Sequence, residues 1–508
     1  MATETELKLF CLPEAIALVE SHPLIAKGGQ EASPKRLENT YFDTPDLSLY
    51  ANRIALRVRN TPTEQLQTVK CAAESVAGLS SRPEWETSYH GRFDFAGVDD
   101  SKVRVFLQER QAALIPVFTT TFERKTWKVD ISKKTSLWVM IDQGEVISDG
   151  RSSQISEVEL ELAEGSPKEL LDFARRLATD LPLLPNDISK AERGYGLFLN
   201  QAPCAARAGQ SAITPGQTAA EAFDALAWQQ LQMWQTNQLG ILTVNAPEFV
   251  HQFRVALRRL GSLLKVFKPV LPDHFGQEWA EKLKTLFQIT GDVRNLDVMR
   301  EAILQPIVQA GGRKTHGLAS PALSACEADK QGALAQFEQL RYGGLLLRFA
   351  RDLQALPPED FPKNLDRFAE KRLSVLYRRA CKAQRRARKS TTAEHAHRLR
   401  IALKHLRYSC EFFAPLFDQE AMLRQAKAIA NLQDELGFVN DVYVAKKQLQ
   451  RWIDEGKIST ATRDCVTAWH APRVEEALKR ALLHTESLLG DCLPWCRECE
   501  RRGGSSRR

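Results

Sequence analysis

Cysteine is sparse in this chain, with ten in 508 residues, too few and too scattered for a disulfide scaffold. No apolar run approaches the ~18 residues that a membrane helix needs. The first ten residues carry Glu4 and Glu6 and no basic-then-apolar pattern, so no secretory leader is expected. Together these absences predict a reduced, cytoplasmic protein without a membrane partner. Hydrophobic residues at 43% and charged residues at 26% exclude wholesale disorder, a collagen-like repeat and a membrane protein. The length is enough for at least two separate cores.

The net charge of +7 conceals a division. Residues 1–200 hold 24 Lys and Arg against 30 Asp and Glu, a net of −6, and residues 201–508 hold the remaining 46 and 33, a net of +13. A basic half joined to a mildly acidic one points to a polyanion partner for the second half.

The first 200 residues read as short alternating runs: Glu4 to Leu9, Arg53 to Arg59, Leu66 to Lys70, Glu84 to Tyr89, Phe122 to Val129, Leu137 to Ile141 and Glu157 to Leu162. Gly, Pro and Asp clusters separate them, as in an antiparallel sheet or barrel. Helices are expected near Pro13 to Ser21 and Pro167 to Ala178. Residues 201–217 are small and breaker-rich and read as a linker. Helical spacing follows from 218 to 495, and 496–508 is a basic tail.

In a strand, residues i, i+2 and i+4 share a face. Glu4, Glu6 and Lys8 therefore point one way, as do Arg57 with Arg59, Glu84 with Glu86, and Glu157, Glu159 and Glu161. Grouped like charges cost energy unless something binds them. If such strands close into a barrel, carboxylates able to hold a divalent cation and guanidinium groups able to grip phosphate line one lumen. That is the donor set a metal–polyphosphate complex requires. No Ser, Cys or His is placed as an evident covalent nucleophile, so water is the expected attacking group.

Here the sequence resembles the CYTH superfamily, also called triphosphate tunnel metalloenzymes. The resemblance rests on Glu4-x-Glu6-x-Lys8, Tyr41-Phe42-Asp43-Thr44-Pro45, Leu56-Arg57-Val58-Arg59, Lys70, Glu84-x-Glu86, Arg124, Asp142-x-Gly144-Glu145, Glu157 to Leu162, and Ser189-Lys190-x-x-Arg193-Gly194-Tyr195. It covers residues 1–200. It implies a closed antiparallel barrel forming a tunnel, and hydrolysis of a triphosphate with Mg2+ or Mn2+. By position, Glu4, Glu6, Glu159 and Glu161 would be metal ligands. Lys8, Arg57, Arg59, Lys70, Arg124, Lys190 and Arg193 would hold phosphates. Glu4, Glu6, Lys8, Glu84 and Glu86 form the catalytic set, Glu84 and Glu86 orienting a base or the attacking water. Glu157, Asp142 and Glu145 belong to the tunnel or its rim without an assigned role.

The second half contains a repeat. His251 to Pro269 and His397 to Pro415 match at an offset of 146 with seven of nineteen positions identical. The same offset pairs Leu286 with Leu432, Gly291 with Gly437 and Val293 with Val439. Two helical bundles related by a pseudo-twofold axis follow. With His251 at zero and 100° per residue, Arg254, Arg258 and Lys265 fall at about 300–340°, opposite an apolar stripe from Phe253 to Phe267. In the second copy, Leu399, Ala402, Leu403, Leu406, Cys410 and Phe413 form the stripe, and His397, Arg400, Lys404, Arg407 and Tyr408 the other face. Facing basic helices would form a groove for a polyanion. Tyr377 to Lys389 adds a further basic helix.

This half resembles the CHAD domain, through His251-x-x-Arg254-x-x-x-Arg258-Arg259, His397-x-x-Arg400-x-x-x-Lys404-x-x-Arg407-Tyr408, Gly291-x-Val293-Arg294-Asn295-x-Asp297, and Leu436-Gly437-x-Val439-Asn440-Asp441. The resemblance implies binding of inorganic polyphosphate by His251, Arg254, Arg258, Arg259, Lys265, His397, Arg400, Lys404 and Arg407. Nucleic acid is disfavoured, since no aromatic stacking platform interleaves the bases. Cys492, Cys496 and Cys499 with His484 have irregular spacing and read as structural thiols rather than a zinc site.

The expectation is thus a multidomain α+β protein, a closed antiparallel β-barrel with flanking helices followed by an all-α domain of two pseudo-twofold-related bundles. It is read as an inorganic triphosphatase that also binds polyphosphate, in the cytoplasm, with polyphosphate as a candidate anchor. The alternatives are a hydrolase of thiamine triphosphate or a nucleotide, an adenylate cyclase, and a polyphosphate-binding protein with a weak tunnel activity.

Overall fold

A computed structural model of the chain describes residues 2–26, 29–61, 63–71, 75–244, 246–310, 312–338, 342–357, 362–389, 393–488 and 493–495. The tail 496–508 and Cys492, Cys496 and Cys499 lie outside the described residues. Two compact units are present. One comprises Met1–Ala206, Gln235–Asn245 and Gln339–Leu356, the other Arg207–Trp234, Ala246–Glu338 and Pro357–Arg508.

Among the described residues the first unit holds ten strands: β1 (Ala2–Cys11), β2 (Gly29–Asp43), β3 (Ile54–Asn60), β4 (Gln65–Cys71), β5 (Ser75–Val76), β6 (Leu79–Ser88), β7 (Ile115–Ser132), β8 (Thr135–Ser148), β9 (Arg151–Glu164) and β10 (Leu183–Pro185). All pairings are antiparallel, in the order β10-β1-β9-β8-β7-β2-β3-β4-β6-β5. A further pairing of β1 with β6 closes eight of them into a barrel, with β10 and β5 as additions. Closure leaves no long unpaired edge.

The barrel is charged inside and apolar outside. Leu7 and Leu9 of β1 and Val158 and Leu160 of β9 are fully buried on the outer face. The helix Pro167–Asp180 packs on β1 and β9, with Leu170, Leu171, Phe173, Ala174 and Leu177 buried. The opposite face of the same strands, Glu4, Glu6, Lys8, Glu157, Glu159 and Glu161, points into the lumen. The helix Gly343–Gln354 lies against Pro167–Asp180 and β10. It needs glycine at its start, because a Cβ at Gly343 would fall 1.8 Å from the Leu183 carbonyl oxygen.

Ser189 opens the helix Lys190–Phe198 with a reciprocal cap to Glu192. This helix packs on β7, β8 and β9 and places Tyr195 against Tyr41, Phe118 and Phe122. Asp43, fully buried, accepts hydrogen bonds from the Leu49 and Tyr50 amides and the Tyr195 hydroxyl. The Asp of the Tyr-Phe-Asp-Thr-Pro motif is therefore a structural staple. A Cβ on Gly194 would lie within 2.5 Å of three atoms of the Phe118 ring. Gly194→Ala is expected to push this helix off the barrel and cost about 1–3 kcal/mol. Activity should fall with it, because Lys190 and Arg193 ride on the same helix. Thermal melting and phosphate release on one preparation check both effects.

In the second unit the helices Pro247–Phe267 and Ala393–Phe413 carry the two copies of the repeat and pack on each other. Each is followed by a long partner, Asp273–Val298 and Gln419–Asp454. Residues 259 and 405 are equivalent by the offset, as are 265 and 411. Arg259 pairs with Glu411, and His405 faces Lys265. The two contacts are exchanged by a twofold operation, as the repeat requires. Among the described residues no helix is long and apolar enough to cross a membrane.

Candidate functional site

Register brings the charged stripes of distant segments together. Glu6 lies opposite Glu161, Lys8 opposite Glu159, Glu4 opposite Arg82 and Lys70 opposite Glu84. Arg57 lies opposite Thr68 and Tyr41. The strand alternation and the antiparallel ladder are sufficient to gather these residues.

The lumen is a network of opposite charges. Lys70 Nζ is 2.7 Å from Glu4 and 2.8 Å from Glu84. Arg82 pairs with Glu6 and lies 3.7 Å from Glu4. Lys8 is 2.9 Å from Glu6 and 3.7 Å from Glu159. Arg57 approaches Glu84 at 3.8 Å. Arg124 forks onto Asp142 through Nε at 2.7 Å and Nη2 at 2.6 Å, and reaches Glu159 at 2.6 Å. Lys190 Nζ sits among Asp142 at 2.6 Å, Glu159 at 3.0 Å and Glu157. Arg193 holds the other Glu157 oxygen at 2.8 Å. Glu86 accepts from Thr68 at 3.0 Å and is exposed. Glu145, also exposed, pairs in register with positions off the lumen face.

These pairings set the proton affinities. Burial works to raise Glu159, yet Lys190, Arg124 and Lys8 hold it well below the usual carboxylate range. Glu6 is likewise lowered against its burial, chiefly by Lys8. Glu161 behaves in the opposite way. Burial, then Glu4, Glu159 and Glu6, push it up to about 7. Among the described residues Glu161 has no ion-pair or hydrogen-bond partner.

Among the described residues one acidic group gathers its ligand atoms closely enough to receive a metal. Asp142, Glu157 and Glu159 bring ligand atoms within 4.8 Å of one another, but the Lys190 ammonium already lies between them. Glu4, Glu6, Glu159 and Glu161 lie on the neighbouring strands β1 and β9, and among the described residues Glu161 has no base within ion-pair distance, Lys70 acting on it from farther off. Oxygen-only donors of this kind suit Mg2+ or Mn2+. Glu4, Glu6 and Glu159 are themselves paired with Lys70, Lys8, Arg82, Arg124 and Lys190, and a cation beside Glu161 would relieve the repulsion that raises it.

A titration follows from this. In metal-free protein the elevated Glu161 contributes stability that is fully present below about 4.5 and lost as pH rises through about 7. Binding Mg2+ near pH 7 should release about half a proton, and none in Glu161→Gln. Calorimetry in buffers of different ionisation enthalpy measures it.

The basic helices separate into two groups. Arg254 is anchored by Thr290 at 3.0 Å and stacks over Phe287. Burial, then Arg258 and Arg294, bring it down to about 9. Burial, Arg294 and Arg258 lower His251 to about 4. Burial, Lys265, Arg258 and Arg400 lower Lys404 to about 8. The Nε atoms of Arg258, Arg372 and Arg400 are buried with no hydrogen-bond partner among the described residues. Arg254, Arg258, Lys265, Arg400 and Lys404 thus form one repelling positive group, with His251 left neutral beside it. Arg259 turns inward, only 3% exposed, onto Glu411 and Gln230, and Arg407 pairs with Glu411 at 2.9 Å. Both tie the fold together. His397 is exposed on its helix. Tyr408, expected on the basic face, is buried, because the wheel of one helix does not show the partner copy that covers it.

Sequence reasoning missed Arg82, Asn39 and His405. Arg82 shares parity with Glu84 and Glu86, a usable signal interrupted by Pro83. Asn39 lies on β2, whose alternation is broken at a register shift between Ala32 and Lys35 that contains Pro34. His405 follows Lys404 but turns inward, donating to or accepting from Ser262 at 3.0 Å.

Comparison with known proteins matches these two arrangements. The CYTH domain family matches residues 2–195 and the CHAD domain family residues 225–450. A protein of Haemophilus influenzae named inorganic triphosphatase is 33% identical over 165 residues, 32% of this chain and 47% of that one. The match thus spans about half the length of that relative. The crystal structure of the CHAD domain from the plant Ricinus communis is 26% identical, covering 60% of this chain and 98% of that chain with a TM-score of 0.44. A protein from Hippeastrum, described as a putative adenylyl cyclase with a dominant triphosphatase activity, is 16% identical over 38% of this chain and 95% of that one, with a TM-score of 0.29.

Proposed function

We propose that this chain, which belongs to the CYTH family over residues 2–195 and to the CHAD family over residues 225–450, hydrolyses inorganic triphosphate to diphosphate and phosphate in its barrel and binds polyphosphate on its basic helices. The observation that carries the first part is a lumen in which Lys8, Arg57, Arg59, Lys70, Arg82, Arg124, Lys190 and Arg193 alternate with carboxylates, one of which, Glu161, is in no ion pair among the described residues. The name of the Haemophilus influenzae relative supports the same reading. We assign 1–200 to the catalytic domain, 201–217 to a linker and 218–495 to the polyphosphate-binding domain.

Glu4, Glu6, Glu159 and Glu161 would hold Mg2+ or Mn2+. When bound, the cation supplies a Lewis acid that withdraws charge from phosphate oxygens and acidifies water. The chain's own residues do the rest. Arg57, Arg59 and Lys70 engage the phosphates, Arg57 and Lys70 exchanging carboxylate partners for substrate oxygens. Glu84 remains ionised, held down against its burial by Lys70. It keeps Lys70 and Arg57 oriented and can accept a hydrogen bond from the attacking water. Arg124 and Lys190, locked by Asp142 and Glu159, present fixed positive charge to the leaving oxygen. On the helical side, the mutual repulsion of Arg254, Arg258, Arg400 and Lys404 is relieved by a phosphate chain, which would associate the protein with cytoplasmic polyphosphate.

The test is phosphate release by the full chain with Mg2+ or Mn2+, from tripolyphosphate, long-chain polyphosphate, ATP and thiamine triphosphate at equal concentration. Preference for tripolyphosphate supports the reading. Preference for ATP or thiamine triphosphate replaces the substrate, and no release from any of them overturns the enzymatic part.

A further inference from the structure

Each base of the lumen has a carboxylate within ion-pair distance among the described residues, with one exception. Arg59 has none. Its Nε instead donates to Asn39 Oδ1 at 3.0 Å, and Asn39 Nδ2 donates to Thr120 Oγ1 at 2.9 Å. The three side chains follow one another across the ladder, Arg59 opposite Asn39 on β3 and β2, and Asn39 opposite Thr120 on β2 and β7. Asn39 and Thr120 are fully buried. The orientation of the amide is chemically fixed, because guanidinium has only donors and so must face the amide oxygen.

We propose that Asn39 is a positioning residue for oligophosphate binding: a neutral acceptor that holds Arg59 by Nε, aims its two Nη groups into the lumen, and leaves it outside any ion pair, ready for a phosphate group. The proposal rests on the triphosphatase reading and deepens it. An aspartate has the same shape and the same acceptor oxygen, and would hold Arg59 equally well in the empty protein. It would also neutralise Arg59, as the acids neutralise the other bases. The amide at this point keeps one guanidinium of the network available before any ion pair is broken, so Arg59 would be the seat that phosphate takes first. The neighbouring charges agree. Arg57, burial and Arg124 lower Arg59 to about 10 against the weaker opposing pull of Glu86 and Tyr41, as expected for a cation outside any ion pair.

The experiment compares wild type, Asn39→Asp and Asn39→Ala as full-length chains. It reads tripolyphosphate binding by calorimetry in EDTA, steady-state hydrolysis with Mg2+ and thermal melting. Asn39→Asp should fold, since Thr120 can donate to the new carboxylate. Its Kd and KM should rise about tenfold or more, with kcat changing several-fold less than KM. The slope of log Kd against log salt should shrink in magnitude. Asn39→Ala keeps the charge and loses the aim, and should weaken binding less than Asn39→Asp. Wild-type affinity in Asn39→Asp, or equal losses in the two variants, overturns the proposal while leaving the triphosphatase reading intact. A wild-type protein that neither binds nor hydrolyses tripolyphosphate overturns both.

Discussion

Glu6→Gln is expected to lower kcat for tripolyphosphate by about 10²–10³-fold, the range seen when one preorganised electrostatic contact to a transition state is lost. Glu6 is 2% exposed and sits between Lys8 and Arg82 on one side and Glu161 across the strand pair on the other. Gln keeps the shape and an acceptor oxygen, so the barrel stays closed. It removes one negative charge from the set that would hold the cation, and leaves Lys8 and Arg82 less neutralised. The two consequences oppose each other in a diagnostic way. The metal concentration for half-maximal activity should rise, while KM for tripolyphosphate should hold or fall, because the bases become more available to phosphate. A substitution that merely loosened the barrel would raise both. Phosphate release across a metal titration, with melting as a control for folding, separates these cases. Turnover within threefold of wild type at saturating metal removes Glu6 from the ligand set.

The legible part of the site was legible for a physical reason. Strand alternation fixes which residues share a face whether or not the partner strand is known, so Glu4-Glu6-Lys8 and Glu157-Glu159-Glu161 announced a charged face before any pairing was visible. The structure supplies the pairing, and with it the distinction between Glu161, in no ion pair among the described residues, and Glu157, which has Lys190 and Arg193. That distinction is a matter of distances between β9 and the helix Lys190–Phe198, separated by about 30 residues of chain, and no local pattern encodes it. β2 was hidden because its Pro34 interrupts alternation at a bulge, and with β2 went Asn39. In the helical unit the offset of 146 predicted two equivalent helices correctly, but a single-helix wheel assigns a face without knowing what covers it. Arg259 and Tyr408 lie on the side where the two copies meet. They are accordingly buried, with the guanidinium of Arg259 over the Tyr408 ring. The repeat itself held the missing information. Glu411 is the counterpart of Lys265 and stands next to Arg259, whose own counterpart is His405, so one of the exchanged contacts is an ion pair and the other sets a neutral histidine against a lysine.

That asymmetry underlies the second large expectation. Lys404→Gln should weaken long-chain polyphosphate binding about tenfold at low salt and also make the empty protein more stable. Lys404 is crowded by Lys265, Arg258 and Arg400 in a half-buried setting that lowers it to about 8, and His405 beside it is lowered to about 3 by burial, Lys404 and Lys265. His405 is therefore neutral at pH 7 and cannot add to the charge, but neither can it offset Lys265. A lysine whose folded affinity for a proton is below its unfolded one makes the unfolded state bind more protons between about 8 and 10.5, so wild-type stability should rise with pH across that window. Lys404→Gln removes this rise by removing the charge that causes it. A bound phosphate chain reverses the sign of the effect. It favours the protonated amine and draws Lys404 back toward its ordinary value, so binding near pH 8.5 should take up protons in wild type and fewer in the variant. The linked pair of results, tighter folding with poorer polyanion binding, separates a ligand groove from a solvated helix face. On a solvated face the substitution would change neither quantity measurably. Melting from pH 7 to 10 without ligand, and calorimetry against long-chain polyphosphate in two buffers, measure both. An unchanged polyphosphate affinity in Lys404→Gln takes this lysine out of the groove even if the stability gain is found.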